Sequence, residues 1–328
     1  MRRKFLGKVL TALMALSFGL AATSVKAADN WPSRPIKLIV PFGAGSSPDT
    51  MARKVAEYAS EQLGQPVIIE NKPGASGNLG TNLIAKAKPD GYTFGTSITG
   101  PMVNNTLLYS DLPYNPKEDL IPLTLAVHQY NVIVVNDKSP IKSFDDLLTA
   151  LKDKNNDFNF PSTGAGTVSH LSIELLLDHT GGNAVHVPYA SSPEAVSSLI
   201  SGDTDFAALP PVTVVPMIQD GRLRALASVS SERLSFLPDT PTVNEFEMSG
   251  VEGSGWIGFV APAGLPDNIR DRLVEVLREA INSPEISESL TAQYMEPVGN
   301  TPEEFGKYMD DDLKRWGPLI ERLEISVN

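Results

Sequence analysis

The chain has 328 residues, 41% of them hydrophobic, and a mean hydropathy of -0.08, which suits a sizeable buried core and excludes a disordered or fibrous chain. Its 27 Lys and Arg against 39 Asp and Glu give a net charge of -12, which excludes a surface that tracks nucleic-acid phosphates. There is no cysteine, so disulfides, thiolate metal sites and cysteine nucleophiles are excluded as well.

The first predicted element is a targeting segment. Met1-Arg2-Arg3-Lys4 is basic, Val9 to Ala22 is apolar or small, and Val25-Lys26-Ala27 puts small residues at the -3 and -1 positions of a cleavage site after Ala27. The apolar run is shorter than the ~20 residues a spanning helix needs, so the mature chain is expected outside the cytoplasm, in the periplasm, and soluble. The Arg2-Arg3 pair fits both general and twin-arginine export. Cleavage removes Arg2, Arg3, Lys4, Lys8 and Lys26 and no acid, taking the net charge from -12 to -17.

From Pro35 onward, apolar strands, Gly/Ser/Pro loops and amphipathic helices alternate, the pattern of α/β units with a mostly parallel sheet. Ile36–Val40 reads as the first strand and Met51–Leu63 as the first helix, stopped by Gly64. Val67–Glu70, a helix ending near Ala87, and Tyr92–Thr96 follow. After a Pro-rich passage from Pro113 to Pro122, Val132–Val135 opens a second α/β set. It holds strands at Phe158–Phe160, Ala184–Val187, Asp205–Leu209 and Arg224–Val229, with helices starting near Phe144, Thr167, Ser192 and Val212. An irregular passage precedes the strand Trp256–Val260, and acidic amphipathic helices finish the chain, expected to pack back on the first set. The predicted division is a signal peptide at 1–27, one lobe from 28–127 plus 254–328, and a second lobe from 128–253.

One long-range echo stands out. Pro41-Phe42-Gly43-Ala44-Gly45-Ser46-Ser47 and Pro161-Ser162-Thr163-Gly164-Ala165-Gly166-Thr167 each follow a strand and precede a helix. A helix N-terminus carries unpaired N–H groups and about half a positive charge, so it binds an anion without Lys or Arg. In the first loop Ser47 suits the N-cap, Pro48 the first helical position, and Asp49 the first turn, either as a dipole partner or as an acceptor for a ligand hydroxyl or ammonium. Two such loops facing each other would hold the two ends of a small dicarboxylate.

Catalytic and cofactor patterns are tested against the same residues. Neither Gly-Ala-Gly loop completes a dinucleotide fingerprint, because Pro48 and Ser169 stand where its third glycine belongs, and no Walker lysine follows. Gly74-Ala75-Ser76-Gly77-Asn78 misses the nucleophile elbow at Asn78, and Ser139-Pro140-Ile141-Lys142 lacks the companion motifs of Ser-Lys enzymes. His128, His170, His179 and His186 do not have metal-ligand spacing. His170 lies one turn into the helix after the second loop, where it braces that loop, meets a ligand or is simply a buried structural residue; His186 reads as structural. No cofactor or metal is expected.

The ordered motifs resemble the substrate-binding proteins of tripartite tricarboxylate transporters, the Bug proteins. They include Pro35-Ile36 through Phe42, Asp49 with Ala52-Arg53, Glu70-Asn71-Lys72-Pro73-Gly74, Pro89-Asp90-Gly91-Tyr92-Thr93, Gly164-Ala165-Gly166-Thr167 with His170-Leu171, and His186-Val187-Pro188-Tyr189. Leu223-Arg224-Ala225-Leu226, Ala261-Pro262-Ala263-Gly264 and Thr301-Pro302-Glu303-Glu304-Phe305 extend the likeness over the mature chain. The resemblance implies a two-lobed, type II-like periplasmic binding protein, monomeric, that closes on a small carboxylate and hands it to membrane carrier subunits. The expected ligand-binding residues are Phe42, Gly43, Ala44, Gly45, Ser46, Ser47 and Asp49 at the first loop. At the second they are Ser162, Thr163, Gly164, Gly166, Thr167 and His170, with Ser76, Ser97, Tyr189 and Asp205 beside them. Ser46-Ser47 stands where the family has Gly-Gly, and Ala190-Ser191 where it has Lys-Gly, which leaves the ligand's identity open. A secreted serine hydrolase using Ser76 or Ser139, and a ligand-sensing subunit, are the competing readings.

Overall fold

The computed structural model describes residues 31–153, 155–248, 251 and 253–322; the signal segment and its cleavage site lie outside the described residues. Strand β1 (Ile36–Val40) is buried on both faces, as a central parallel strand must be. Helix α1 (Ser47–Leu63) covers one face with Met51, Ala52, Val55, Ala56 and Ala59 and ends at Gly64 in the left-handed conformation. Strand β2 (Val67–Asn71), helix α2 (Asn78–Ala85) and strand β3 (Thr93–Ile98) complete two crossovers, and β2 and β3 flank β1 in parallel.

The rest of this sheet departs from the mostly parallel expectation. After a π-helical turn (Gly100–Asn104) and the short helices α3 (Asn105–Leu108) and α4 (Pro116–Asp119) comes β4 (Leu120–Tyr130), an eleven-residue strand in what reads as a Pro-rich passage. β10 (Ser254–Pro262) is inserted antiparallel between β3 and β4, and β11 (Glu296–Pro297) closes the edge, giving the mixed order β11-β4-β10-β3-β1-β2. Pro122 is tolerated because β11 pairs only with Val127 and His128, so β4 is an edge strand where the proline sits.

The chain then passes to a second set of sheets. β5 (Val132–Asn136) pairs antiparallel with β8 (Phe206–Leu209) and β9 (Leu223–Ser228), while β6 (Phe158–Ser162) and β7 (Ala184–Pro188) run parallel. Helices α5 (Phe144–Lys152), α6 (Val168–Thr180), α7 (Ser192–Ser201) and α8 (Pro211–Gln219) cover them.

Helices α9 (Asp267–Asn282) and α10 (Pro284–Thr291) return to the first core, where Leu273, Leu277, Ile281 and Leu290 pack with α1 residues. The last helix, α11 (Pro302–Arg322), departs from that expectation. Its Phe305 packs with Ile39 and Trp256 of the first sheet, whereas Trp316 and Ile320 are seated with Ile133, Leu171 and Phe206 of the second. Arg322 also pairs with Asp178 on α6.

Candidate functional site

The two Gly-Ala-Gly loops share one hydrogen-bond pattern at an offset of 121 residues, and Gly45 and Gly166 share a positive φ. In the first, the Gly43 carbonyl accepts the N–H and, at 2.6 Å, the hydroxyl of Ser46; in the second, the Gly164 carbonyl accepts the N–H and, at 2.6 Å, the hydroxyl of Thr167. Gly45 N–H donates to the Asp49 carboxylate at 2.9 Å, and Gly166 N–H donates to His170 Nδ1 at 3.1 Å. Asp49 and His170 are thus equivalent braces, each turning one loop amide inward.

Ser46, not Ser47, is the N-cap of α1, and Thr167 is the N-cap of α6, both with extended backbone and neither hydroxyl capping its helix. Because those hydroxyls are spent on their own loops, the amides at the helix ends stay open. Helix geometry leaves the N–H groups of Ser47, Val168 and Ser169 without an intrahelical acceptor, and the N–H groups of Ala44 and Ala165 have none within their loops.

The first loop is braced by charge. Burial pulls the Asp49 carboxyl upward, but two bonds from Arg53, one from Gly45 N–H and one from Asn71 outweigh it and hold the group below the usual carboxylate range. Asn71 also donates to the Phe42 carbonyl. The second loop is braced by a neutral network. Ser162 Oγ accepts the Gly164 N–H and shares a 2.5 Å hydrogen bond with His186 Nε2. The His186 ring stacks on His170 at 3.9 Å between centroids, and burial together with that neighbour pushes His186 down to about 3. Thr163 bonds Ser169 through both its N–H and its hydroxyl.

Each loop faces the opposite half of the molecule. A Cβ on Gly43 would lie 2.8 Å from that of Ser191, at the start of α7, so only glycine permits this approach. Gly166 has φ +77° and would place a Cβ 2.2 Å from Asn105 Oδ1, while its carbonyl accepts Asn104 Nδ2 at 2.8 Å. Gly164 abuts Ser76, which with Ala75 has positive φ, a strained conformation of the kind that clusters at binding sites. Tyr189 follows β7 at the same seam, its N–H bonded to the Ser162 carbonyl.

Two expected residues are not brought to the loops. Ser97 is fully buried in the first half and bonds Thr81. Asp205 accepts the Asn159 N–H at the start of β6, three residues and about 10 Å from Ser162, and lines a cavity on the far side with Asn136 and Ser139. Neither serine of the hydrolase reading meets a histidine: Ser76 bonds the Tyr109 hydroxyl, and Ser139 Oγ accepts the Ile141 N–H. The sequence reading noted Ser191 only as a departure from the family and Ser192 only as a helix start, and it missed Asn104 and Asn105 at the seam. Ser191 does cap α7 through Glu194 N–H, and its Ser-Ser-Pro-Glu context signals a helix start, whereas nothing in periodicity points to the asparagines. Ser47 and Ser192 hydroxyls are buried without a partner, at the first positions of the two facing helices.

Two mixed α/β halves meeting at paired strand-to-helix loops define the class of two-lobed periplasmic solute-binding proteins. The chain matches the tripartite tricarboxylate transporter family receptor over residues 51–325, and it belongs to that family. It is 35% identical to protein BugT of Bordetella pertussis, covering 89% of this chain and 90% of that one. A solved R. palustris protein with adipate is 29% identical with a TM-score of 0.87, covering 90% of this chain and 99% of that one. MatC from Rhodopseudomonas palustris with bound malate is 27% identical with a TM-score of 0.84, covering 88% and 100%. No helix among the described residues is long and apolar enough to cross a membrane.

Proposed function

We propose that this chain is a periplasmic solute receptor that captures a small carboxylate between the Gly43–Ser47 and Gly164–Thr167 loops and delivers it to the membrane carrier of a tripartite tricarboxylate transporter, without chemical turnover. The observation that carries this reading is the matched pair of loops, each clasping its own hydroxyl and bracing one amide while leaving others without an acceptor in the loop. Each helix end contributes about half a positive charge, so two together offset about one unit of ligand charge, and the remainder is met by hydrogen bonds from the amides. The solved relatives with adipate and malate support a ligand with two carboxyl ends, one for each loop.

A thermal-shift screen of the mature chain against mono-, di- and tricarboxylates tests this. A true ligand at 100 times its dissociation constant should stabilise the fold by about 2.7 kcal/mol. No shift with any carboxylate would reject the reading.

A further inference from the structure

The turn across from the second loop carries polar groups that a plain dicarboxylate leaves unused. Thr99, Asn104 and Asn105 flank or end the π-helical turn Gly100–Asn104, and each is no more than 1% exposed. Asn104 Nδ2 donates to the Gly166 carbonyl at 2.8 Å and Asn105 Nδ2 to Asn78 Oδ1 at 2.6 Å, which fixes the end of each amide that is the oxygen. Asn104 Oδ1, Asn105 Oδ1 and Thr99 Oγ1 have no hydrogen-bond partner among the described residues. They lie at the seam: Asn105 Oδ1 is 2.2 Å from where a Gly166 Cβ would stand, and a Cβ on Gly100, next to Thr99, would be 3.5 Å from the Gly166 carbonyl oxygen.

A buried polar atom left unpaired is costly and native folds keep few, so three on one short turn call for a partner that binding supplies. π-Helical turns are themselves frequent at functional sites. The atoms say what the partner is. An amide oxygen only accepts, so Asn104 and Asn105 repel a carboxylate and require a donor. The unpaired donors of the seam are elsewhere, at the Ser47 and Ser192 hydroxyls and the amides of the helix ends, where carboxyl groups belong.

We propose that the ligand is a carboxylate bearing one or two hydroxyl groups, and that Asn104 and Asn105 are specificity residues that accept its hydroxyl protons beside the second loop. This rests on the reading that the two loops grip the carboxyl groups. One ligand hydroxyl donates to one amide oxygen and accepts from Thr99 Oγ1; a second hydroxyl satisfies the other asparagine. An ammonium is also a donor, but a buried ammonium needs an acid beside it. The acids of these loops and strands are engaged: Asp49 by Arg53, Glu174 by His170, and Asp205 by the Asn159 N–H.

Titration calorimetry on the mature chain tests this with succinate, malate and tartrate, which share one carbon chain and carry no, one and two hydroxyls, and with adipate against 2-hydroxyadipate for a longer span. In the series that binds, the hydroxylated member should be tighter than the plain one by about tenfold or more, because the plain one leaves an acceptor buried and unpaired. Aspartate, with an ammonium in place of the hydroxyl, should bind more weakly than malate. Asn105→Leu keeps the bulk and removes the acceptor. It should bring the members of a series within about threefold by weakening the hydroxylated one alone, whereas an asparagine of purely structural role would weaken both alike. Asn104→Ala repeats the comparison should the first variant misfold. Equal affinities within each series in the parent, a preference unchanged in the variants, or aspartate binding tightest would overturn the proposal and leave the carboxylate reading standing. Binding of no member, plain or hydroxylated, would reject that reading and the proposal with it.

Discussion

At Asp312 burial and charge oppose each other within one side chain. It lies 6% exposed on α11 and accepts Trp256 Nε1 at 2.6 Å, and burial, only partly offset by that bond, pushes its carboxyl up to about 6. The folded chain therefore holds a proton here that the unfolded chain releases between about pH 4 and 6, and stability falls as pH rises through that window. Asp312→Asn keeps an acceptor for Trp256 and removes the charge. It should stabilise the protein at pH 7.5 by about 2 to 3 kcal/mol, from a shift of some two units, with the gain absent below pH 4 in urea unfolding. His186 has the opposite sign: its contribution is whole above about 6.5 and is lost as pH falls toward 3. At this scale the sequence was only half legible. Spacing put Asp49 and His170 one turn into their helices, but whether a side chain turns toward a ligand or back to its own loop depends on partners such as Asn71 and His186, which arrive from other strands.

The elements themselves were more legible, because β1, α1 and β2 obey local rules of apolar runs and a glycine stop. β4 was hidden because Pro113 to Pro122 reads as loop, and only its place at an open edge makes a proline acceptable there. Asp205 was misplaced because a strand's sequence does not say which of its ends meets the cleft. The amphipathic pattern of α11 was evident, but not that its stripe serves two cores in succession. Trp316 is 1% exposed, so Trp316→Ala should cost about 3 to 5 kcal/mol in chemical denaturation. A loss under 1 kcal/mol would mean that the end of α11 merely rests on the second half.

For the whole molecule, the two-lobed plan was visible in the repeated strand-loop-helix motif, because the same loop chemistry recurs at the same point of each set. The mixed strand order was not, since β10 is inserted between β3 and β4 from far along the chain and insertion leaves no local mark. Contacts such as Gly43 with Ser191 and Asn104 with Gly166 describe a closed arrangement. Small-angle scattering should then give a larger radius without ligand than with it, and an equal radius at saturation would reject closure as the means of capture. α11 limits how that closure can happen. From Phe305 to Trp316 it spans eleven residues, about 16 Å of continuous helix, with one end fixed in each half. Such a helix is a tie rod: it keeps its two anchor points a constant distance apart and leaves the halves free mainly to swivel about it. Pro318 lies between Trp316 and Ile320, so the bend that proline invites, from Lys314 to Pro318, falls at the second anchor. Opening is thereby reduced from a general separation to a rotation with one dominant degree of freedom.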